Sequence, residues 1–366
     1  MVTVLASQRA LQPPAGGVLQ RIERVCKSVA RANPGMTMRM IECPECDWLS
    51  PEERAQLLPF LAAALGERGT RVAGDLEVLK QSGISLLLRG RDSNGAAFYL
   101  KAVPPTFRQE PALTAALGAR FSASLPVVLA TDADRRILIT REVPGSLLRE
   151  QADPAGWLAT AETLAQIQLG SASERAAWLA CACPERALHA LDGEVELILS
   201  EAAPRCAEVG APIPHELLSR LDALRETLSA EASELASHAV PQTLVHGDFH
   251  AGNVIVAAGG APTIIDWSDG ALAHPFFDPF ILFHAGRMPL EGALRDAMLD
   301  TYLSAWHRAG FGSLRELQLA FELAQRLAPL YHAASYRRVV AIGRNAARDF
   351  ARAFVWLLGL LSQAHA

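Results

Sequence analysis

The sequence predicts an α+β fold in two lobes, the first mainly β and the second mainly helical. Three observations carry that expectation. Short apolar runs divided by Gly, Ser, Asn and Asp turn signals fill residues 76–145. Ala- and Leu-rich stretches with helical spacing fill residues 146–240 and return from Pro289 onward. One dense polar block lies between them: His246-Gly247-Asp248-Phe249-His250-Ala251-Gly252-Asn253, then Thr263-Ile264-Ile265-Asp266-Trp267.

The elements follow in order. Residues 1–75 form an N-terminal extension. There Val18–Ala32 has helical spacing with Ile22, Val25, Cys26 and Val29 on one face, and Met36–Ile41 suits a strand. Ser50-Pro51-Glu52-Glu53 is a helix start, with a serine cap, proline in the first position and acids in the first turn. That helix runs to about Gly66, and it either packs on the first lobe or mediates a dimer contact. In residues 76–145, strands are expected at Glu77–Lys80, Ser85–Gly90 and Ala97–Val103, a helix at Pro111–Ala123, and strands at Pro126–Ala130 and Arg136–Thr140. Turns fall at Ser82-Gly83 and Asp92-Ser93-Asn94-Gly95. Residues 146–366 read as helical at Trp157–Leu169, Ala187–Ala202 and Pro214–Ala236, apart from the polar block.

The chain has 366 residues, 50% hydrophobic and 20% charged, enough for two packed lobes. A net charge of -5 and a pI near 6.1 lack the basic footprint of a nucleic-acid binder. No apolar run approaches the ~18–20 residues of a membrane span, and Phe354–Leu361 reads as a terminal core helix. The N-terminus lacks a basic start followed by an apolar core, so no signal peptide is expected and the cytoplasm is the expected compartment, as a monomer or homodimer. Cys26, Cys43, Cys46, Cys181, Cys183 and Cys206 are too scattered for a disulfide framework. Cys43-Pro44-Glu45-Cys46 is a lone C-x-x-C without the second pair that structural zinc needs.

The polar block suits metal-assisted phosphoryl transfer. Asp248 can take a proton from a hydroxyl nucleophile. Asn253 and Asp266 offer hard oxygens to Mg2+, and Asp266 ends a β-branched run that reads as a buried strand. Lys101 sits in the apolar strand Ala97–Val103, nine residues before Glu110, which can hold its ammonium as the kinase lysine–glutamate pair does. No G-x-G-x-x-G precedes Lys101; Gln81-Ser82-Gly83-Ile84-Ser85 is the only candidate phosphate loop, and it reads equally as a plain hairpin turn.

The block resembles the aminoglycoside phosphotransferase and choline kinase family, whose pattern is H-G-D-x-H-x-x-N followed by I-D-W or I-D-F. The resemblance covers about residues 76–360. It implies a protein-kinase-like two-lobed fold, with a mainly β N-lobe at 76–145 and a mainly helical C-lobe at 146–366. It also implies transfer of the γ-phosphate of ATP, or GTP, to a small-molecule hydroxyl: an aminoglycoside, amino alcohol, sugar or natural product. Asp248 would be the base, Asn253 and Asp266 the magnesium ligands, His246 an architectural residue of the catalytic loop, and Lys101 with Glu110 the phosphate clamp. Gly83 and Ser85 would approach the phosphates. Ile137–Gly145 resembles the family's hinge, so backbone groups of Arg141 and Val143 would meet adenine between Ile255 and Ile264 or Ile265. Asp278 matches a structural Asp, while His274 replaces an acidic residue and bears on acceptor choice. Gln168 stands where the family has a helical His. Asp269, Asp278 and Glu291 are the acids expected near the acceptor, without a dense acidic run.

Two rival readings accompany this one. A non-catalytic nucleotide-binding protein could keep the same fold. A metallohydrolase could use His246, Asp248 and His250, but that leaves Asn253 and Asp266 without a role. Nothing between Asp266 and Pro275 resembles the activation segment of a protein kinase.

Overall fold

The computed structural model describes residues 44–284 and 291–366. The helix expected at Val18–Ala32, the strand at Met36–Ile41, and Cys26 and Cys43 lie outside the described residues.

Helix α1 (Pro51–Gly66) begins where the sequence signals it: Ser50 Oγ accepts from Glu53 N and the Glu53 carboxylate accepts from Ser50 N, a complete capping box. It packs on the first lobe. Leu57, Leu61 and Leu65 join Leu86, Leu88, Phe98, Leu100 and Ile139 in one apolar core, so α1 covers one face of the sheet. The five strands run β1 (Val72–Ser82), β2 (Ser85–Asp92), β3 (Ala97–Ala102), β4 (Val128–Asp132) and β5 (Ile137–Arg141). Their order is β1-β2-β3-β5-β4, antiparallel throughout. β1 starts ahead of residue 76. Helix α2 (Glu110–Arg120) crosses between β3 and β4.

The register aims the chemistry. Lys80 pairs with Leu87, Leu87 with Lys101, and Lys101 with Leu138. Side chains alternate across a strand, so this cross-strand row shares the face opposite α1 and looks toward the second lobe.

The second lobe carries α3 (Pro154–Ser171), α4 (Arg175–Ala180), α5 (His215–Ala223), α6 (Arg225–Ser237), α7 (Asp278–His284), α8 (Gly292–Arg308), α9 (Leu314–Val340) and α10 (Arg344–Ala364). Two expected helices are interrupted. Ala187–Ala202 is a chain of 3-10, α and π turns, and Pro214–Ala236 breaks at Leu224 into α5 and α6. Phe354–Leu361 is the inner part of a much longer α10. Among the helices sit the short strands β6 (Ser146–Leu147), β7 (Thr243–Val245), β8 (Val254–Val256), β9 (Thr263–Ile264) and β10 (Ala271–Ala273). They pair as β6-β8-β9 and β10-β7, and thereby bracket the polar block.

A small apolar cluster of Val103, Phe107, Val339 and Ala346 joins the lobes behind the cleft. The β1–β2 turn closes on the same region: a Cβ built on Gly83 would lie 2.1 Å from Ala346 N. Only glycine allows that backbone approach.

Candidate active site

A cavity of about 710 Å3 opens under the sheet, bounded above by Lys80, Leu87, Lys101 and Leu138 and below by Ile255, Ile265 and Asp266. Ser85, Glu110, Arg141 and Val143 also line it. Gly83 does not, because its turn is pressed against the start of α10. The phosphate-loop expectation therefore narrows to Ser85, whose side chain is buried at the cavity edge.

Lys101 is the hub. Its Nζ donates to Glu110 Oε1 and to Asp266 Oδ1, each at 2.7 Å, so three residues far apart in sequence meet at one ammonium. Burial opposes the charge on Lys101, but Asp266 and Glu110 outweigh it and raise its pKa. Burial likewise opposes ionisation of Asp266, yet Lys101 holds that carboxyl well below its usual value. Glu110 differs: burial, only partly offset by Lys101, pushes it up to about 7. Asp266 also adopts left-handed backbone, φ 64° and ψ 64°. Such a conformation costs a non-glycine residue about 1–3 kcal/mol and tends to persist where function needs it. Ser268 Oγ donates to Asp266 Oδ1 at 2.8 Å and helps fix the carboxylate.

The loop expected to be catalytic, His246–Asn253, hangs from Asp278. This buried carboxylate accepts from His246 N through Oδ2 and from Gly247 N through Oδ1, both at 2.8 Å. Gln168 Nε2 donates to the same Oδ2 at 2.9 Å, and Tyr302 Oη donates to Gln168 Oε1 at 2.6 Å. Gln168 is thus part of a buried network and not simply a packing residue. Gly247 takes φ +81°, and a Cβ there would meet Asp269 O at 2.4 Å, so the residue before Asp248 has to be glycine.

His246 is fully buried. Its Nε2 lies 2.9 Å from Ile265 O and its Nδ1 accepts from Asp248 N at 3.2 Å. With both nitrogens engaged, it ties the catalytic loop to the strand that delivers Asp266 and has no lone pair left for zinc. Among the described residues no three His, Cys, Asp or Glu side chains gather as metal ligands. The His246/Asp248/His250 hydrolase triplet is therefore not assembled.

Asp248 stands at the cleft with its side chain 36% exposed, 3.6 Å from His250 Nε2. Burial raises its pKa, but the bond and charge of His250 prevail and lower it. His250 moves the opposite way: burial opposes its charge, and Asp248 raises it. Asn253 Nδ2 donates to Asp248 O at 3.0 Å, which turns the amide oxygen away from that bond. Asn253 and Asp266 thus present one amide oxygen and one carboxylate, held together by the Ile265 N to Asn253 O bond at 2.9 Å. That all-oxygen donor pair fits Mg2+, which commonly takes one or two protein oxygens and completes its shell with phosphates and water.

Lys80 and Glu142 line the cleft without a role in the motif. Lys80 lines the cavity and is near enough to lower the pKa of both Glu110 and Asp266; no alternation marks it in the sequence, because the register of β1 shifts between Val78 and Lys80. Glu142 accepts from Tyr99 Oη at 2.9 Å and from Arg89 Nε at 2.8 Å at the cavity rim. His274 is buried, and its Nδ1 accepts from Phe276 N at 3.4 Å. Burial pushes it down to about 3, so it is a neutral turn cap. Glu291 is an exposed residue at the start of α8. Cys46 donates its thiol to Ser85 O at 3.8 Å.

Residues 89–317 match the model of the phosphotransferase enzyme family. No curated protein sequence matches the chain significantly. Among solved structures, a macrolide 2'-phosphotransferase from Brachybacterium faecium superposes with a TM-score of 0.52 at 18% identity, covering 83% of this chain and 98% of that one. An ethanolamine kinase from Plasmodium vivax gives a TM-score of 0.55 at 14% identity over 80% and 81% of the two chains. The GDP complex of aminoglycoside 2'-phosphotransferase-IIIa gives 0.52 at 16% identity over 80% and 93%. At such identities the likeness is one of fold.

Proposed function

The chain belongs to the phosphotransferase enzyme family, and on that premise we propose that it transfers the γ-phosphoryl group of ATP to a hydroxyl of a small molecule. The observation that carries this reading is Lys101, bonded at 2.7 Å to both Glu110 and Asp266 at the inner wall of the cavity. Kinases likewise set a phosphate-binding lysine between a helix glutamate and a metal-ligating aspartate.

The roles then follow. The apolar cavity between Leu138 and Ile255 suits adenine. The N–H of Arg141 is engaged by Val127 O at 2.8 Å, so the Arg141 carbonyl and the Val143 N–H are the groups left for the adenine edge. Lys101, steadied by Glu110, contacts the α- and β-phosphates, and Lys80 and Ser85 approach from the hairpin above. Asn253 and Asp266 would hold Mg2+, whose chemistry here is to neutralise charge on the phosphates. Asp248 orients the acceptor hydroxyl and takes its proton, a task its depressed pKa keeps it ionised for. His246 and Asp278 position that loop.

Thermal stability with ATP, GTP and ADP, with and without magnesium, tests the proposal, since ligands of the native state raise the melting temperature by mass action. A magnesium-dependent rise that disappears in Asp266→Ala is expected. Asp248→Asn should keep the rise and abolish transfer. Folded protein that ignores every nucleotide would defeat the reading.

A further inference from the structure

We propose that the phosphoryl acceptor is an anionic hydroxyl compound, a hydroxy acid or a phosphorylated alcohol, held by its oxyanion in a second cavity lined by Arg108, Arg186 and Arg338. The inference rests on the phosphotransferase reading above and names the substrate class of the same centre.

The second cavity, about 350 Å3, lies beside the residues that follow Asp266. Gln109, on its wall, donates Nε2 to Ser268 O at 2.6 Å, and Cys183, also on its wall, donates its thiol to Gly270 O at 3.7 Å. These bonds flank Asp269. That carboxyl feels Asp248 on one side and the Arg186 guanidinium on the other. The cavity wall is thus hydrogen-bonded on both sides of Asp269 to the loop that follows Asp266.

Its charge is unbalanced. Arg186 is 9% exposed, yet among the described residues its Nε has no hydrogen-bond partner, while its Nη1 donates to the Ser335 hydroxyl. Its guanidinium lies over Tyr331, 5.6 Å from the ring centroid. Arg338, half-buried one turn along α9, makes no ion pair among the described residues. Arg337 shows the contrast: it pairs with Glu194 at 2.9 Å and with Glu201 at 3.0 Å. Glu194, the carboxylate that Arg338 senses, is already committed there. Arg186 and Arg338 instead repel one another. Asp269 lies within electrostatic reach of Arg186, and Glu194 of Arg338, but neither guanidinium forms an ion pair among the described residues, and burying one unpaired is costly. Two such groups facing a polar cavity suit a planar oxyanion, which arginine can bind through paired N–H groups. A polycationic acceptor would meet like charge here.

The test titrates inorganic phosphate into protein saturated with Mg·ADP, by calorimetry, against sodium chloride of equal ionic strength. Malonate in a parallel titration separates carboxylate from phosphate preference. Arg186 is buried and its loss threatens the fold, so the half-buried Arg338 supplies the variants. Phosphate or malonate should bind the native chain, at least tenfold more weakly in Arg338→Ala and less severely so in Arg338→Lys, while Mg·ADP binds all three alike. ADP release should be stimulated by glycerate or glycerol 3-phosphate more than by glycerol or ethanolamine. No anion binding beyond the chloride control, equal binding by Arg338→Ala, or preference for ethanolamine would overturn the inference and leave the phosphotransferase reading intact. Failure of Mg·ADP to bind would overturn that reading, and this inference with it.

Discussion

Replacing Asp278 with asparagine probes how the catalytic loop is held. The carboxylate has two oxygens serving three donors: Gly247 N on Oδ1, His246 N and Gln168 Nε2 on Oδ2. An amide keeps the shape but retains one oxygen. Its best placement puts that oxygen at the Oδ2 position, so its NH2 faces the buried Gly247 N–H. One orphaned buried donor costs about 1–3 kcal/mol. At about 1.4 kcal/mol per decade, the well-formed loop becomes roughly 5- to 150-fold less populated. Asp248 follows Gly247 directly, so kcat should fall by one to two orders of magnitude. The nucleotide cavity draws its walls from the sheet, Ile255, Ile265 and Asp266, so the KM for ATP should change little. Coupled ADP-release kinetics measure both constants, and a melting curve reports the stability loss. Asp278→Asn with native kcat and native melting temperature would refute the claim that Asp278 suspends the loop.

Two further outcomes follow from the packing and the charges. Leu61 is wholly buried between α1 and the sheet, so Leu61→Ala should lose about 2–5 kcal/mol in chemical denaturation; a loss under about 1 kcal/mol would detach α1 from the N-lobe core. Burial, with Asp248 adding to it, pushes Asp269 from 3.8 up to about 7. A carboxyl raised on folding binds its proton more tightly in the native state. Its stabilising contribution is full below pH 4 and disappears as pH rises through 7. Asp269→Asn should therefore gain melting temperature relative to the native chain between pH 5 and pH 8, and a constant gap across that window would contradict the assignment.

Signals confined to a few neighbouring residues were legible. The Ser50–Glu53 cap announces α1, the Asp92–Gly95 turn separates β2 from β3, and the stretch His246–Asn253 with Asp266 marks the cleft, because each depends on bonds within one turn or one loop. Signals that need a distant partner were not. Gly83 looked like a phosphate-loop glycine since nothing near it in sequence shows that Ala346 presses on it. Pro214–Ala236 and Ala187–Ala202 carry helical spacing throughout, yet the first breaks at Leu224 and the second folds as 3-10, α and π turns.

The arginines make the same point with consequences for chemistry. Arg337 and Arg338 are adjacent and chemically identical, and no propensity or motif distinguishes them. Only the position of Glu194, 143 residues earlier, does so: it reaches Arg337 in two hydrogen bonds and leaves Arg338 without an ion pair among the described residues. The catalytic half of a phosphotransferase can be written in a short motif because the nucleotide and metal are constant and one loop handles them. The proposed acceptor half would be assembled here from α9, the 179–186 segment and the loop before α2. Its charge is a balance over residues that never adjoin in sequence. No acidic run marks it along the chain, whereas the folded cavity gathers arginines that form no ion pair among the described residues.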